Sequence, residues 1–335
     1  MVTRIQSPRT KRLRRKRKRR NRFTWAAIVL CGILLYGVAS FTGSLSDTEP
    51  ELSSGRTVQV YNMDTEQLMT LDLEQYLTGV VAAEMPASFS EEALKAQAVA
   101  ARTFTVSRME HPSPNVTALD SRAQLSTSPE TCQAWISVEE QERRWGKQYK
   151  AYHRKIVQAV AETAGEVLRY DGALIEPLYH ASCGGGHTED AAEVWGNARP
   201  YLVSVECNHP ADPHTGQKVT MTLQDMTQQL GVTGAVPAGS FGDFMQLVAS
   251  TASNRVKTLR VGGQEFSGAA LRSALGLKSS LISWTVSGDK ITFTTNGYGH
   301  GVGLCQYGAN YYAEQGDSYA QILARYYPGT QLSKE

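Results

Sequence analysis

The first 41 residues constrain the rest of the chain most. Residues 1–22 carry twelve Lys or Arg and no acid, and a seventeen-residue apolar run at 25–41 follows at once. A run of that length sits at the lower limit for a helix that spans a bilayer. The basic flank predicts a cytoplasmic N-terminus with everything downstream exported. A cleavable signal peptide is the competing reading, because Val38-Ala39-Ser40 resembles a small-residue cleavage site. The length of the basic region favours a retained single-pass anchor. The expected organisation is a basic cytoplasmic tail (1–22), a transmembrane helix (23–42), a linker rich in Ser, Thr, Asp, Glu and Gly (43–56) and an extracytoplasmic domain (57–335).

With twelve cations in the tail, 22 Lys and Arg face all 32 Asp and Glu in the exported part, a balance of about −10. An acidic ectodomain is not built to follow a phosphate backbone, which excludes a nucleic-acid binder. Its roughly 280 residues suffice for a large core and for two lobes.

Residues 58–61 and 68–73 read as short strands around a turn at Met63-Asp64, and 73–81 as a short helix. The stretch 91–109 is Ala-rich, without Gly or Pro. Leu94, Ala98, Ala101 and Thr105 form its expected buried stripe, and Ser88-Phe89-Ser90-Glu91 ahead of it has a capping-box pattern. Residues 111–128 read as a surface loop, 149–163 as an amphipathic helix, and 166–170 with 174–180 as a hairpin about Asp171-Gly172. From 218 to 295, helix patterns (223–230, 269–275) alternate with strand patterns (245–250, 256–261, 291–295), and 318–326 closes the chain as a helix. The expected fold class is α+β, a membrane-anchored ectodomain in which a main lobe and a smaller inserted α+β lobe, about 215–295, form a groove.

One carboxylate stands out within Val80-Val81-Ala82-Ala83-Glu84-Met85-Pro86, directly ahead of the helix that carries Lys95, Gln97 and Arg102. Lost hydration of the charged form moves a carboxyl pKa up from about 4.3, and a carboxyl still protonated near neutral pH can serve as a general acid. The plainer alternative is a Glu that caps or salt-bridges the following helix. Lys95 and Arg102, seven residues apart, share one helix face, for which a solvated edge is the plain reading.

Cys31 falls in the apolar run, whereas Cys132, Cys183, Cys207 and Cys305 belong to the exported part, where disulfides persist. Four cysteines allow three pairings. His180-x-x-Cys183-x-x-x-His187 followed by Cys207-x-His209 supplies the ligand types zinc takes. That spacing matches no strong zinc pattern, and Gly184-Gly185-Gly186 suggests a tight backbone passage. A disulfide or packed thiols is the preferred reading, with a structural zinc at Cys183 and nearby His or Cys behind it.

Residues 297–309, Gly-Tyr-Gly-His-Gly-Val-Gly-Leu-Cys-Gln-Tyr-Gly-Ala, hold five glycines. No Lys-Ser or Lys-Thr follows, which argues against a phosphate loop. Close backbone approach with projecting aromatic and amide side chains suits a sugar; a tightly packed turn array is the alternative.

Glu84-Met85-Pro86, the run from Leu94 to Thr103, His180-Ala181-Ser182-Cys183-Gly184-Gly185-Gly186-His187-Thr188, Val194-Trp195-Gly196, Pro200-Tyr201-Leu202, the glycine-rich segment and Tyr326-Tyr327-Pro328-Gly329-Thr330 together resemble the stage II sporulation protein D family. The likeness runs over essentially all of residues 58–331. Tyr298 stands where the family often has Trp, and Leu304-Cys305 where it often has Met-Ser. The resemblance implies a membrane-anchored peptidoglycan lytic transglycosylase acting during engulfment of the forespore, with Glu84 as the catalytic acid and then the base, and no required cofactor. It also implies glycan strands already stripped of stem peptides as substrate. An amidase/endopeptidase and a polytopic membrane protein are the implied partners. On that reading Arg102, helped by Lys95, would grip the lactyl carboxylate of muramic acid, and Gln97, Trp195, Tyr201, His300, Gln306 and Tyr307 are candidate sugar contacts, although His300 could serve only to order the glycine loop. Two other classes stay open: a non-catalytic glycan-binding enhancer of an N-acetylmuramoyl-L-alanine amidase, and a zinc hydrolase built on His180, Cys183 and His187.

Overall fold

The N-terminal hairpin sets the entry of the first helix. In the computed structural model, which describes residues 52–233 and 241–335, Thr57–Asn62 pairs antiparallel with Gln67–Asp72, Thr57 opposite Asp72. Asp72 then caps the helix Leu73–Glu84, its side chain accepting the Glu74 N–H at 2.9 Å. The helix runs past the expected end at 81, because Ala82 and Ala83 are good helix formers and the first residue unable to continue it is Pro86. Glu84 is therefore the last residue of this helix.

Glu91–Glu110 is the central helix. The expected stripe of Leu94, Ala98, Ala101 and Thr105 is fully buried, yet so are Ala96, Gln97, Val99, Ala100, Arg102 and Thr103. Small side chains all round its surface let neighbours pack on every face: the helices Leu73–Glu84, Tyr149–Glu162, Gln306–Glu314 and Tyr319–Tyr326, and the strand Glu166–Tyr170. The expected capping box does not form. Ser90 makes no side-chain cap bond, and its N–H donates to Asn310 Oδ1 at 2.7 Å instead.

The 111–128 stretch is more than a loop. It holds the short helix Pro114–Thr117 and the strand Leu125–Ser126, which adds in parallel to Thr57–Asn62. A further helix, Val138–Trp145, is capped by Ser137. The Asp171-Gly172 hairpin forms with φ +48 and +80, but its second strand stops at Leu174. Tyr179–His180 instead pairs in parallel with Leu304–Cys305, tying the glycine-rich segment to the main core. Gln331–Lys334 closes on Glu166–Tyr170.

The architecture is mixed α and β. A second cluster of buried side chains, including Met226, Leu259, Val261, Leu271, Ile291 and Phe293, lies between residues 223 and 293. Two three-stranded antiparallel sheets frame it, with Val256–Val261 and Lys290–Thr295 as their central strands. Ile291 and Phe293 face inward from alternate positions, as the two-residue period of a strand requires. Arg255, itself buried, joins this cluster to the rest by donating to Ser279 Oγ and to the Cys183 carbonyl, each at 2.8 Å. The described residues belong to one compact unit. The tail, the expected transmembrane helix and most of the linker lie outside them, and among the described residues no helix is long and apolar enough to cross a membrane.

Candidate active site

Glu84 reaches its position because the apolar end of its helix is held in the core. Val80, Val81 and Met85 are buried, and the half-buried carboxylate accepts the Ala134 N–H at 2.7 Å. Its pKa is pushed up to about 7: burial disfavours the charged form, and the single bond from Ala134 opposes that only in part. The last turn of a helix adds to this direction, since its unpaired carbonyls repel a negative charge. Among the described residues Glu84 forms no ion pair.

A cleft of about 290 Å³ opens over it, lined by Ala82–Ala87, Trp145, Ala181, His214, Tyr298, Gln306 and Tyr307. Glu84 is the only carboxylate among these residues. Aromatic rings make an edge-to-face chain along the wall, Tyr298 to His214 at 5.0 Å, His214 to Tyr307 at 5.4 Å and Tyr307 to Phe89 at 5.0 Å. Gln306 starts a helix and donates to Gln97 Oε1 at 3.2 Å, while the Tyr307 N–H donates to the Ala181 carbonyl. Lys278, exposed, lays its Nζ 4.7 Å from the centre of the Tyr298 ring. His214 and Tyr298 flank, in sequence, the segment that carries the second cluster.

Of the expected site residues, Glu84, Gln306 and Tyr307 meet in this cleft, with Gln97 behind Gln306. Lys95 and Arg102 do not, and the expectation that they read a substrate carboxylate is corrected. Arg102 is fully buried and donates to both oxygens of Glu74, to the Val160 and Glu166 carbonyls and to Thr163 Oγ1, so its donors face the interior. Lys95 is held by Glu92 at 2.8 Å and Glu162 at 2.6 Å. Asp72 and Glu92, two further acids in this part of the chain, are likewise engaged, Asp72 as a helix cap and Glu92 by Lys95 and the Tyr319 N–H.

Trp195, Tyr201 and His300 are not among the residues lining the cleft. Trp195 is half exposed and tilts against His300 with ring centres 5.3 Å apart. His300 is kept neutral, its pKa lowered to about 4 by burial and then by Arg272, and its Nδ1 accepts the Val302 N–H, which orders the glycine loop. The Tyr201 hydroxyl accepts the Glu176 N–H at 3.3 Å. The glycines of the loop serve close packing. At Gly303, φ is +72 and a Cβ would stand 2.0 Å from the Leu178 carbonyl oxygen.

No cysteine among the described residues is in a disulfide. Cys183, Cys207 and Cys305 instead pack together with His209, their ligand atoms all within 4.8 Å of one another and all four residues buried, a set able to hold a metal ion. His180 and His187 stand outside it. Cys132 is also apart, its sulfur accepting the Ser126 N–H.

Sequence reasoning missed Trp145 and His214 as lining residues. Trp145 was legible, since Ser137-x-x-Glu140 before it and Gly146 after it mark a short helix. His214 sits in a Pro- and Gly-bounded loop with no periodic signal.

A family model described as "Stage II sporulation protein" matches residues 61–170, which include Glu84. Stage II sporulation protein D of Bacillus amyloliquefaciens is 38% identical over 292 residues, 85% of this chain and 81% of that protein. Stage II sporulation protein D of Bacillus subtilis (strain 168) is 38% identical over 283 residues, 83% of this chain and 79% of that protein. A protein named Amidase enhancer, from the same strain, is 30% identical over 310 residues, 77% of this chain but 40% of that protein.

Proposed function

Because this chain belongs to the stage II sporulation protein D family, we propose that it is a lytic transglycosylase that cuts peptidoglycan glycan strands during spore engulfment, with Glu84 as its lone acid and base. The observation that carries this reading is the desolvated carboxyl of Glu84 in a cleft with no second carboxylate and no cation beside it. A pKa of about 7 leaves the acid form substantially populated at neutral pH.

In the proposed reaction the protonated Glu84 donates to the glycosidic oxygen between N-acetylmuramic acid and N-acetylglucosamine as the bond from C1 to that oxygen breaks. The resulting carboxylate takes the proton of the muramic C6 hydroxyl, whose oxygen closes on C1. The product is a 1,6-anhydromuramyl end, Glu84 is protonated again, and neither water nor a cofactor is consumed. Hydrolytic glycosidases use two carboxylates because a water or a protein nucleophile must be deployed against C1; an internal hydroxyl removes that need. Tyr298, Tyr307 and Trp145 offer ring faces for sugars, and Gln306 and His214 offer hydrogen bonds.

For peptide-stripped strands, the cation at the cleft margin is Lys278 rather than Arg102. Its exposed ammonium beside Tyr298 suits a lactyl carboxylate. The basic tail and apolar run support a single-pass membrane protein with the groove outside the cytoplasm. An amidase/endopeptidase that strips the strands and a polytopic membrane protein of the engulfment complex are the proposed partners.

The similarity to Amidase enhancer supports a second reading, a non-catalytic glycan binder that stimulates an amidase. Digestion of purified stripped strands by wild type and Glu84→Gln, with products identified by mass, separates the two. Anhydromuramyl ends that depend on Glu84 support the transglycosylase. Hydrated reducing ends as the main product overturn it, and intact strands with Glu84-independent stimulation of an amidase favour the enhancer.

A further inference from the structure

Three thiols cannot all pair, so a disulfide among Cys183, Cys207 and Cys305 would leave one buried sulfur over. The fourth member of the cluster, His209, presents Nε2 to the sulfurs, while its Nδ1 lies 2.8 Å from the Pro210 carbonyl. That oxygen only accepts, so Nδ1 carries a proton and Nε2 is the nitrogen turned to the sulfurs, the orientation found in metal-bound histidines. With zinc–sulfur bonds of about 2.3 Å and zinc–nitrogen bonds of about 2.0–2.1 Å, a tetrahedral site has sulfur-to-nitrogen edges of roughly 3.5 Å. The edges here are 3.4 Å from Cys183 Sγ and 3.6 Å from Cys305 Sγ to His209 Nε2.

The sulfurs also have hydrogen-bond partners of their own. Cys305 Sγ accepts the N–H groups of Cys183 at 3.2 Å and Gly308 at 3.3 Å, at the start of the Gln306–Glu314 helix. Cys207 Sγ lies 3.0 Å from the Tyr326 hydroxyl. Backbone and hydroxyl partners of this kind are the outer-shell contacts that orient metal ligands. Space is reserved for the cluster: a Cβ on Gly308 would stand 2.5 Å from Cys207 Sγ and 2.2 Å from the Tyr326 hydroxyl oxygen.

We propose that Cys183, Cys207, His209 and Cys305 hold a structural zinc ion that fastens together the wall of the cleft facing Glu84. The set is closed, with four protein ligands and no position for substrate, so the ion is structural and takes no part in the reaction. Each strand of chain it joins carries a lining residue: Ala181 beside Cys183, His214 beside His209, and Gln306 and Tyr307 beside Cys305. Asp212 transmits the constraint, since it lies 3.8 Å from His209 Nδ1 and accepts the His214 N–H at 2.7 Å.

The test is the metal content of the full-length chain, purified in detergent without chelator, and it reads independently of any cell-wall activity. One zinc ion per chain is expected, with zinc retained in Cys132→Ser and lost to background in Cys183→Ser and in Cys305→Ser. Should those variants fail to fold, the wild-type protein decides through cobalt exchange, where the absorption of a tetrahedral thiolate site supports the proposal. Chelator should lower the unfolding temperature of wild type. A metal-free wild-type chain, iron in place of zinc, a disulfide within the cluster, or equal loss of zinc from Cys132→Ser would overturn it.

Discussion

Arg102 and Glu74 meet in the core through two parallel hydrogen bonds, Nε to Oε1 at 2.9 Å and the second guanidinium nitrogen to Oε2 at 2.7 Å. The pair is a structural clamp between the two helices that precede and follow the Glu84 turn. Removing one partner leaves a buried charge uncompensated, at a cost of about 3–5 kcal/mol. Arg102→Ala should therefore lower stability by that amount in denaturant unfolding. Replacing both partners by apolar residues should cost far less. A stable Arg102→Ala protein with a raised KM would mean that Arg102 serves the substrate after all.

Glu84→Gln should keep the fold and lose cleavage by at least about a hundredfold, the scale of a missing general acid. Strand-cleavage rates and unfolding curves of the same preparation check both halves.

The pH dependence follows from the same carboxyl. Its folded pKa, about 7, lies above the unfolded value, so the folded state binds more protons between the two. The contribution of Glu84 to stability is present in full below about pH 4.3 and is lost as pH rises through 7. Cleavage should fall on the alkaline side of the same pKa. Glu84→Gln should flatten the decline of stability over this window, and an unchanged profile in the variant would assign the titration elsewhere.

Lys278→Ala should raise KM for stripped strands about threefold to tenfold with kcat little changed, the size expected of an exposed charge contact worth roughly 1 kcal/mol. Lys278→Arg should restore KM. Strands that still carry stem peptides, whose lactyl groups are amidated, should respond to neither substitution.

Much of the fold was legible in local patterns. The 91–109 helix, the Asp171-Gly172 turn and the strands at 245–250 and 256–261 follow from propensity, periodicity and turn chemistry, all properties of neighbouring residues. The Ser88–Glu91 pattern misled because the helix starts later, with Ser90 at the N-cap and Ala93 at the third helical position where the box needs a Glu or Gln, and Asn310 from a distant helix takes the Ser90 N–H. The 111–128 stretch hid a strand of two residues, too short for any period to register and formed only because Thr57–Asn62 offers an edge.

Within the site, the sequence by itself singled out Glu84, because the apolar residues on either side of it are its own neighbours, while its enclosure is completed by distant segments, among them Ala134, 50 residues away, whose N–H it accepts. Arg102 and Cys305 were decided by tertiary structure alone. An Arg two turns from a Lys has the same helical spacing whether its face meets water or a buried Glu 28 residues away. Cys305 lies 122 residues from Cys183, and only chain closure brings their sulfurs into one cluster. Local sequence encodes which faces are apolar; which charges and thiols meet across those faces depends on how the segments pack.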